Sequence, residues 1–179
     1  KDAYYKNGRT GIACAMKNSG LGVGVPDWGR CILSVEGGKI HVRTSAACMG
    51  QGVGTVTVQI AGQTIPGLTE DDFVVEAPDT RRTPDSGTST ASRQTLFCGE
   101  ATRRAAVQLR DALEGKTLKD LEGQEFLGEY LGQTDPITSD KPHPVSHIGY
   151  SYSAQVVELD EQGKVAKVTA ACDVGTVIN

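Results

Sequence analysis

A run of small and hydroxyl-bearing residues at positions 84–95 leads directly into the longest helical pattern of the sequence, at 96–113. Apolar side chains such as Phe97, Ala101 and Leu109 recur there at helical spacing. The first turn of a helix has backbone N–H groups without intrahelical partners, and the positive end of its macrodipole favours an anion. The run either caps the helix within an ordinary loop or lets an anionic ligand approach these amides.

A second candidate is the tight turn at residues 45–54, in which Gln51 lies between Gly50 and Gly52. Glycine allows a flat ligand to come close to the backbone, and the Gln amide can both donate and accept hydrogen bonds. The Gly-rich loop at 18–26 also suggests phosphate binding. Its glycines do not match the dinucleotide fingerprint and no helical pattern follows it, which favours a structural role.

The cysteines and histidines show no metal-binding pattern. Five cysteines are spread along the chain without a C-x-x-C pair, at Cys14, Cys31, Cys48, Cys98 and Cys172. This spacing predicts buried, reduced thiols rather than an iron–sulfur or structural zinc site. His41, His143 and His147 form no helical i, i+4 pair and are interpreted as strand or loop residues. We therefore expect no metal ligands on this chain.

The elements that position the two candidate segments follow from the hydrophobic pattern. We predict a buried strand at 10–17, a hairpin of 30–35 and 39–43, a short strand at 72–76, and a hairpin of 149–159 and 165–173. After a helix stop at Gly115, residues 118–130 are interpreted as a weaker helical or mixed segment, and 132–144 as a surface linker. Residues 55–61 are ambiguous, because β-propensity favours a strand while the spacing of Val53, Val56 and Ile60 also fits a helix. The expected fold class is α+β, with antiparallel β-hairpins packed with one long helix and shorter helices.

Composition limits the possible classes of protein. A chain of 179 residues is long enough for one domain with a sizeable core, or for two small domains that share an interface. With 38% apolar residues, 22% charged residues and a net charge of -4, a broad nucleic-acid interface is not expected. No apolar run predicts a membrane span and no secretory leader is recognised, so we expect a cytoplasmic protein. The sequence starts at Lys1 and stops directly after a strand-like run, which suggests a piece of a longer protein.

Taken together, the segment Met49-Gly50-Gln51-Gly52, residues 79–95 and the segment Gly99-Glu100-Ala101 resemble the molybdopterin-binding large subunit of the xanthine dehydrogenase and aldehyde oxidase family. Residues 10–18, 150–158 and 171–175 extend the resemblance over essentially the whole chain. The resemblance implies that residues 1–179 are a fragment of the molybdopterin-binding domain. It also implies that residues 53–61 form a helix, against their β-propensity.

The resemblance also assigns candidate site residues. In that family the Gly-Gln-Gly turn holds the pterin-dithiolene part of molybdopterin, and the loop before the long helix holds the pyranopterin and the phosphate. The cofactor contacts implied here are Gly50, Gln51 and Gly52 in the turn, and Ala91, Ser92, Arg93 and Gln94 in the loop. Arg93 and Gln94 replace residues that are small in most of the family, which resembles a bacterial purine-dehydrogenase branch.

The implied activity is that of an oxidoreductase that hydroxylates a purine, another N-heterocycle or an aldehyde with oxygen derived from water. The implied cofactor is molybdenum–molybdopterin, with iron–sulfur clusters and FAD on other segments or subunits. The family's catalytic glutamate lies beyond the point that corresponds to Asn179, so neither Glu100 nor Glu158 is a candidate for that role. We expect the isolated chain to be inactive and to need the rest of the parent subunit.

Two other interpretations stay open at this point. The chain could be a non-enzymatic anion- or nucleotide-binding α+β module, in which the Ser/Thr-rich loop is the entire site. It could also be an assembly or scaffolding piece, in which case a large exposed apolar patch is expected.

Overall fold

The computed structural model describes residues 8–178. Within that range it contains seven strands and two α-helices: β1 (Thr10–Ser19), β2 (Asp27–Glu36), β3 (Lys39–Arg43), α1 (Val53–Thr64), β4 (Phe73–Val75), α2 (Gln94–Ala112), β5 (Glu125–Gly132), β6 (Gly149–Leu159) and β7 (Val165–Asp173). Two short 3-10 helices, Glu70–Asp72 and Leu118–Leu121, precede β4 and β5. The described residues form two compact units, a smaller one of residues 8–18 and 149–177 and a larger one of 19–148 and 178.

The larger unit contains a four-stranded sheet in the order β4-β3-β2-β5. Strand β2 pairs antiparallel with both β3 and β5, whereas β3 and β4 are parallel. The predicted hairpin of β2 and β3 is confirmed. Gly37 and Gly38 in its turn have φ values of 60° and 73°, the two positive angles that a type I′ turn requires.

Helix α2 packs against β2 and β5, with its buried residues at helical spacing as predicted. Two glycines bring its backbone close to the sheet. A Cβ atom on Gly29 would lie 2.1 Å from the carbonyl oxygen of Phe97, and one on Gly128 would lie 1.9 Å from that of Ala101. The backbone of α2 therefore lies directly on the backbones of β2 and β5, with no side chain between them. The same helix buries Ala101, Ala105 and Leu109 in the main hydrophobic core.

Residues 53–64 form helix α1, as the resemblance implied, so the strand favoured by β-propensity is wrong. The residues that α1 buries are Val53, Thr57, Ile60 and Ala61, which share one helical face. Helix α1 packs against α2. Burial of that face stabilises the helix. This stabilisation is larger than the small preference of its Val and Thr residues for a strand.

The segment interpreted as helical or mixed at 118–130 is mainly the strand β5, preceded by one short 3-10 helix. The helical alternative is therefore wrong, whereas the mixed alternative agrees with the structure. Strand β5 alternates in exposure, with Phe126, Gly128 and Tyr130 more buried than Glu125, Leu127 and Glu129. Because the central inward position is a glycine rather than an apolar side chain, the period-2 pattern of a strand is not visible in the sequence.

The smaller unit is a three-stranded sheet in the order β1-β6-β7. The predicted hairpin of β6 and β7 is confirmed, with Tyr152 opposite Asp173. The strand predicted at 10–17 is also present, but most of its residues are exposed, so its predicted burial is wrong. Every residue of β7 is exposed as well, which means that both faces of that strand are open to solvent in this chain. An apolar run indicates a strand but not what covers it.

Residues 133–148 contain no helix or strand. The amide of Asp135 donates to the carbonyl oxygen of Val145 at 2.8 Å, and the amide of Val145 donates to the Asp135 carboxylate at 2.8 Å. The segment therefore folds back on itself within the larger unit. A linker at 132–144 stays a prediction.

All five cysteines are free thiols, but only Cys31 and Cys98 are buried. The predicted burial is therefore wrong for Cys14, Cys48 and Cys172. Burial raises the pKa of the Cys31 thiol to about 12. The histidines lie in β3 and in the 133–148 segment, in agreement with their interpretation as strand and loop residues. Neither of the described α-helices has the length and apolarity needed to cross a membrane.

The contact between α2 and the sheet predicts a large effect of a single methyl group. We expect Gly128→Ala to destabilise the chain by about 3 kcal/mol, because the new Cβ would collide with the helix backbone, which cannot yield as a side chain can. Gly11→Ala in β1 is the control, since nothing lies within 4 Å of its Cβ position. Thermal unfolding of both variants tests this, and similar melting temperatures would contradict the proposed contact.

Candidate functional site

The two candidate segments line one pocket of about 310 Å³. Its lining residues come from the first segment, Met49 and Gln51, and from the second, residues 89–95. The Ser89 hydroxyl donates to the carbonyl oxygen of Ala47 at 3.3 Å and joins the two segments. The structure thus brings Gln51 together with the four loop residues that the resemblance assigned, Ala91, Ser92, Arg93 and Gln94. Gly50 and Gly52 flank Gln51 without lining the pocket.

Helix α2 starts at this pocket, whereas α1 starts next to it without lining it. Helix α1 begins after Gly52, whose φ of 76° suits glycine, and α2 begins after Arg93. The first turn of each helix has N–H groups without intrahelical partners and a positive partial charge. Neither first turn contains an acidic residue that would neutralise it. The start of α2, whose residues Gln94 and Thr95 line the pocket, therefore favours an anionic ligand there.

The loop in front of α2 holds a strained conformation. Ala91 and Ser92 have φ values of 51° and 53°, in the left-handed region that glycine adopts more easily. The carbonyl oxygen of Ala91 accepts a hydrogen bond from the amide of Gly20 at 3.0 Å. Each such residue costs on the order of 1 kcal/mol, so the surrounding contacts must hold the loop in place.

Arg93 supplies most of those contacts. Its side chain is fully buried, and its Nε donates to Asp27 Oδ1 at 2.5 Å. Nη1 donates to the carbonyl oxygens of Ser86 and Thr88, each at 2.7 Å, and Nη2 donates to that of Trp28. The guanidinium is thus bonded to protein acceptors. The backbone of Arg93 is bonded as well, since its amide donates to the carbonyl oxygen of Thr90 at 3.2 Å and its carbonyl oxygen accepts the amide of Phe97 at 2.9 Å.

Asp27 is the functional residue that sequence reasoning missed. Its second carboxylate oxygen, Oδ2, accepts the amide of Leu21 at 2.8 Å in the Gly-rich loop. Asp27 and Arg93 are 66 positions apart. No local pattern marks a lone aspartate at the start of a strand as the partner of a distant arginine. The amides of Gly20, Leu21, Val23 and Gly24 all donate to protein acceptors, in agreement with a structural role for this loop.

The two candidate glutamines also bond mainly to their own loops. The Gln51 side chain accepts the amide of Met49 at 2.6 Å and donates to the carbonyl oxygen of Ala47 at 2.9 Å. The Gln94 amide group donates to the carbonyl oxygen of Thr88 and to the hydroxyl of Ser89. These side chains shape the pocket. The groups directed to solvent there include the exposed side chains of Thr90, Ser92 and Thr95.

Cys48 shows that the turn before α1 can stabilise negative charge. The backbone N–H groups of Gly50 and Gly52, in that order, lower the pKa of its exposed thiol, with smaller contributions from Val53 and Gln51. Hydrogen bonds to the thiolate favour the ionised form. The amides of residues 50–53 therefore favour negative charge beside Cys48.

A comparison with protein families now identifies the fold. The family model described as the molybdopterin cofactor-binding domain matches residues 2–134. The chain belongs to this family. The family and the molybdopterin cofactor predicted from the sequence are thereby confirmed.

Individual relatives agree with this assignment. The xanthine dehydrogenase molybdenum-binding subunit of Escherichia coli O157:H7 is 34% identical over 104 residues, or 58% of this chain and 14% of that protein. A Bacillus subtilis (strain 168) protein, named as a probable subunit of xanthine dehydrogenase, is 38% identical over 187 aligned residues, which cover 88% of this chain and 25% of that protein. The chain thus spans a quarter or less of the length of these relatives, and both are named as subunits.

The aldehyde oxidoreductase from Desulfovibrio gigas shares the fold. Its structure matches 95% of this chain and 20% of its own chain, with a TM-score of 0.79 and 24% sequence identity. The predicted α+β class is confirmed by this likeness. The pocket of this structure fits a phosphate-bearing cofactor, because the first turn of α2, which has no acidic residue, and the exposed hydroxyls of Thr90, Ser92 and Thr95 line it.

The buried pair of Arg93 and Asp27 gives a testable prediction. We expect Asp27→Asn to destabilise the chain by about 3–5 kcal/mol, because it leaves the guanidinium buried without a counter-charge. Arg103→Gln in the same helix α2 removes a half-exposed ion pair with Glu100 and should cost about 0–1 kcal/mol. Urea unfolding measures both, and equal losses would contradict the structural role of the buried pair.

The amides around Cys48 predict its reactivity. We expect iodoacetamide to modify Cys48 several-fold faster than the other exposed thiols, Cys14 and Cys172, because its thiolate is stabilised by backbone N–H groups. Cys31 should react only after unfolding, because it is buried and its pKa is raised to about 12. Peptide mass spectrometry over a time course measures the order. Equal rates at the three exposed cysteines would mean that these amides do not stabilise the Cys48 thiolate.

Proposed function

We propose that this chain supplies part of the molybdopterin site of a molybdenum hydroxylase. That enzyme would hydroxylate a purine, another N-heterocycle or an aldehyde with oxygen derived from water. The observation that carries the proposal is that Gln51 and residues 91–94 line one pocket at the start of α2. The names of the relatives, xanthine dehydrogenase subunits and an aldehyde oxidoreductase, support this class of enzyme.

The pocket and the turn of residues 50–53 beside it would each bind a part of the cofactor. The first-turn amides of α2 and the Ser92 hydroxyl would hold the phosphate, while the amides of residues 50–53 would bond to the pterin. The side chains of Gln51, Arg93 and Gln94 would act through the loops they brace rather than by contact with the cofactor. When bound, the cofactor would supply the redox chemistry, which no protein side chain offers.

The remaining parts of the enzyme would come from elsewhere. We propose that the rest of the parent subunit completes the cofactor site and supplies the catalytic base and the substrate pocket. Iron–sulfur and FAD domains or subunits would take the electrons. The isolated chain would then neither retain the cofactor tightly nor turn over substrate, since tight retention needs many contacts made at once. Five free thiols suit a reducing compartment, which supports a cytoplasmic location.

Replacement of Gln51 tests the proposal in the complete gene product that carries this chain. We expect Gln51→Ala to lower the molybdenum content and the activity together, because the turn loses both side-chain hydrogen bonds that shape it. The loss of about 1–3 kcal/mol of binding corresponds to roughly 5- to 150-fold weaker cofactor binding. Gln162→Ala is the control, in the exposed turn between β6 and β7.

Metal analysis of the purified variants decides the result. Unchanged molybdenum content and activity in Gln51→Ala would contradict the proposed site. Binding of free nucleotides by the chain, equally strong in the wild type and in Gln51→Ala, would instead support a non-enzymatic anion-binding module.

A further inference from the structure

Three strands bring metal-ligating side chains together at a place separate from the pocket. Glu36 is the last residue of β2, His41 lies in β3, and Glu76 follows β4 directly. The backbone amide of Glu76 donates to the carbonyl oxygen of Val42 at 3.1 Å, which fixes Glu76 beside β3. One ligand atom from each of the three side chains lies within 4.8 Å of the other two. Pairing of the strands therefore positions two carboxylates and one imidazole at a single point.

The guanidinium of Arg82 spans the two carboxylates. Its Nη1 lies 3.2 Å from Glu76 Oε2 and its Nη2 lies 3.4 Å from Glu36 Oε1. The side chain of Arg82 is half exposed and belongs to the irregular segment between β4 and α2. A cationic group thus already lies between the two carboxylates, and its side chain is half exposed to solvent.

We propose that Glu36, His41 and Glu76 form a binding site for a divalent transition metal of the zinc type, and that Arg82 occupies it when the metal is absent. One imidazole nitrogen and two carboxylate oxygens, with a fourth position for water, suit Zn²⁺. Mg²⁺ and Ca²⁺ prefer ligand sets made of oxygen alone. A pocket of about 740 Å³, lined in part by His41, Glu76 and Asp79, gives a metal ion access from solvent.

Charge balance explains why Arg82 and the metal exclude each other. The two carboxylates are neutralised by a divalent ion alone, and a guanidinium a few ångströms away would be repelled by that ion. Arg82 therefore moves into solvent when the metal binds. Arg43 also lies 3.5 Å from Glu36, but its closer partner is Glu125 at 2.5 Å, so it keeps an ion pair in both states.

Zinc titration of the 179-residue chain tests the site. Exposed thiols would bind zinc themselves, so all variants carry serine at the exposed positions Cys14, Cys48 and Cys172. Isothermal titration should detect one zinc equivalent. We expect Arg82→Gln to bind zinc about tenfold more tightly, because the competing ion pairs are removed. The control Arg81→Gln, at an adjacent arginine that pairs with Asp79 instead, should leave the affinity unchanged.

Loss of a ligand should have the opposite effect. We expect Glu36→Gln and His41→Gln each to weaken zinc binding at least about tenfold, since three protein ligands fall to two. Circular dichroism establishes whether each variant is folded. If His41→Gln does not fold, Glu36→Gln decides the result, because Glu36 is the most exposed of the three ligands. Equal affinities of Arg82→Gln and Arg81→Gln, or zinc binding that survives Glu36→Gln unchanged, would overturn the proposal.

Discussion

The buried ion pair of Arg93 and Asp27 is the interaction on which the pocket depends. A charged pair removed from water is costly unless its remaining donors and acceptors are bonded. Arg93 meets this requirement with three backbone carbonyls, and Asp27 with the amide of Leu21. The pair therefore fixes four parts of the chain at one point: the Gly-rich loop, the start of β2, the loop of residues 84–92 and the start of α2.

The sheet provides the second constraint, because it fixes α2 from the other side. Because Gly29 and Gly128 have no side chain, the helix backbone lies directly against the backbones of the strands. A helix held by side chains alone can shift as they change rotamer, whereas backbone contact leaves little freedom of this kind. The amides at the start of α2 are consequently held between the glycine contacts and the Arg93 pair. The position of the anion-binding end of the helix is set by the whole larger unit.

Local signals predicted the elements that depend on neighbouring residues. The paired glycines of the β2–β3 turn, the β6–β7 hairpin and the helical stripe of α2 are all visible in the sequence. Strand β5 was missed because Gly128 replaces an apolar side chain, and the exposure of β1 because a strand pattern does not say what covers it. Helix α1 and the assignment of Gln51 with residues 91–94 came from the family resemblance. Asp27 could not be predicted, because its partner is distant in sequence.

The two left-handed residues before α2 have a thermodynamic consequence for ligand binding. A glycine in place of Ala91 or Ser92 would adopt the same φ without strain, but it would also allow the empty loop many other conformations. Alanine and serine at these positions lower the folding stability somewhat, but they reduce the number of conformations open to the empty loop. The ordering of the loop is then completed during folding rather than at the moment of binding. When a ligand binds to the amides of α2, the loop therefore loses less conformational entropy. A larger share of the free energy of the contacts then appears as binding affinity.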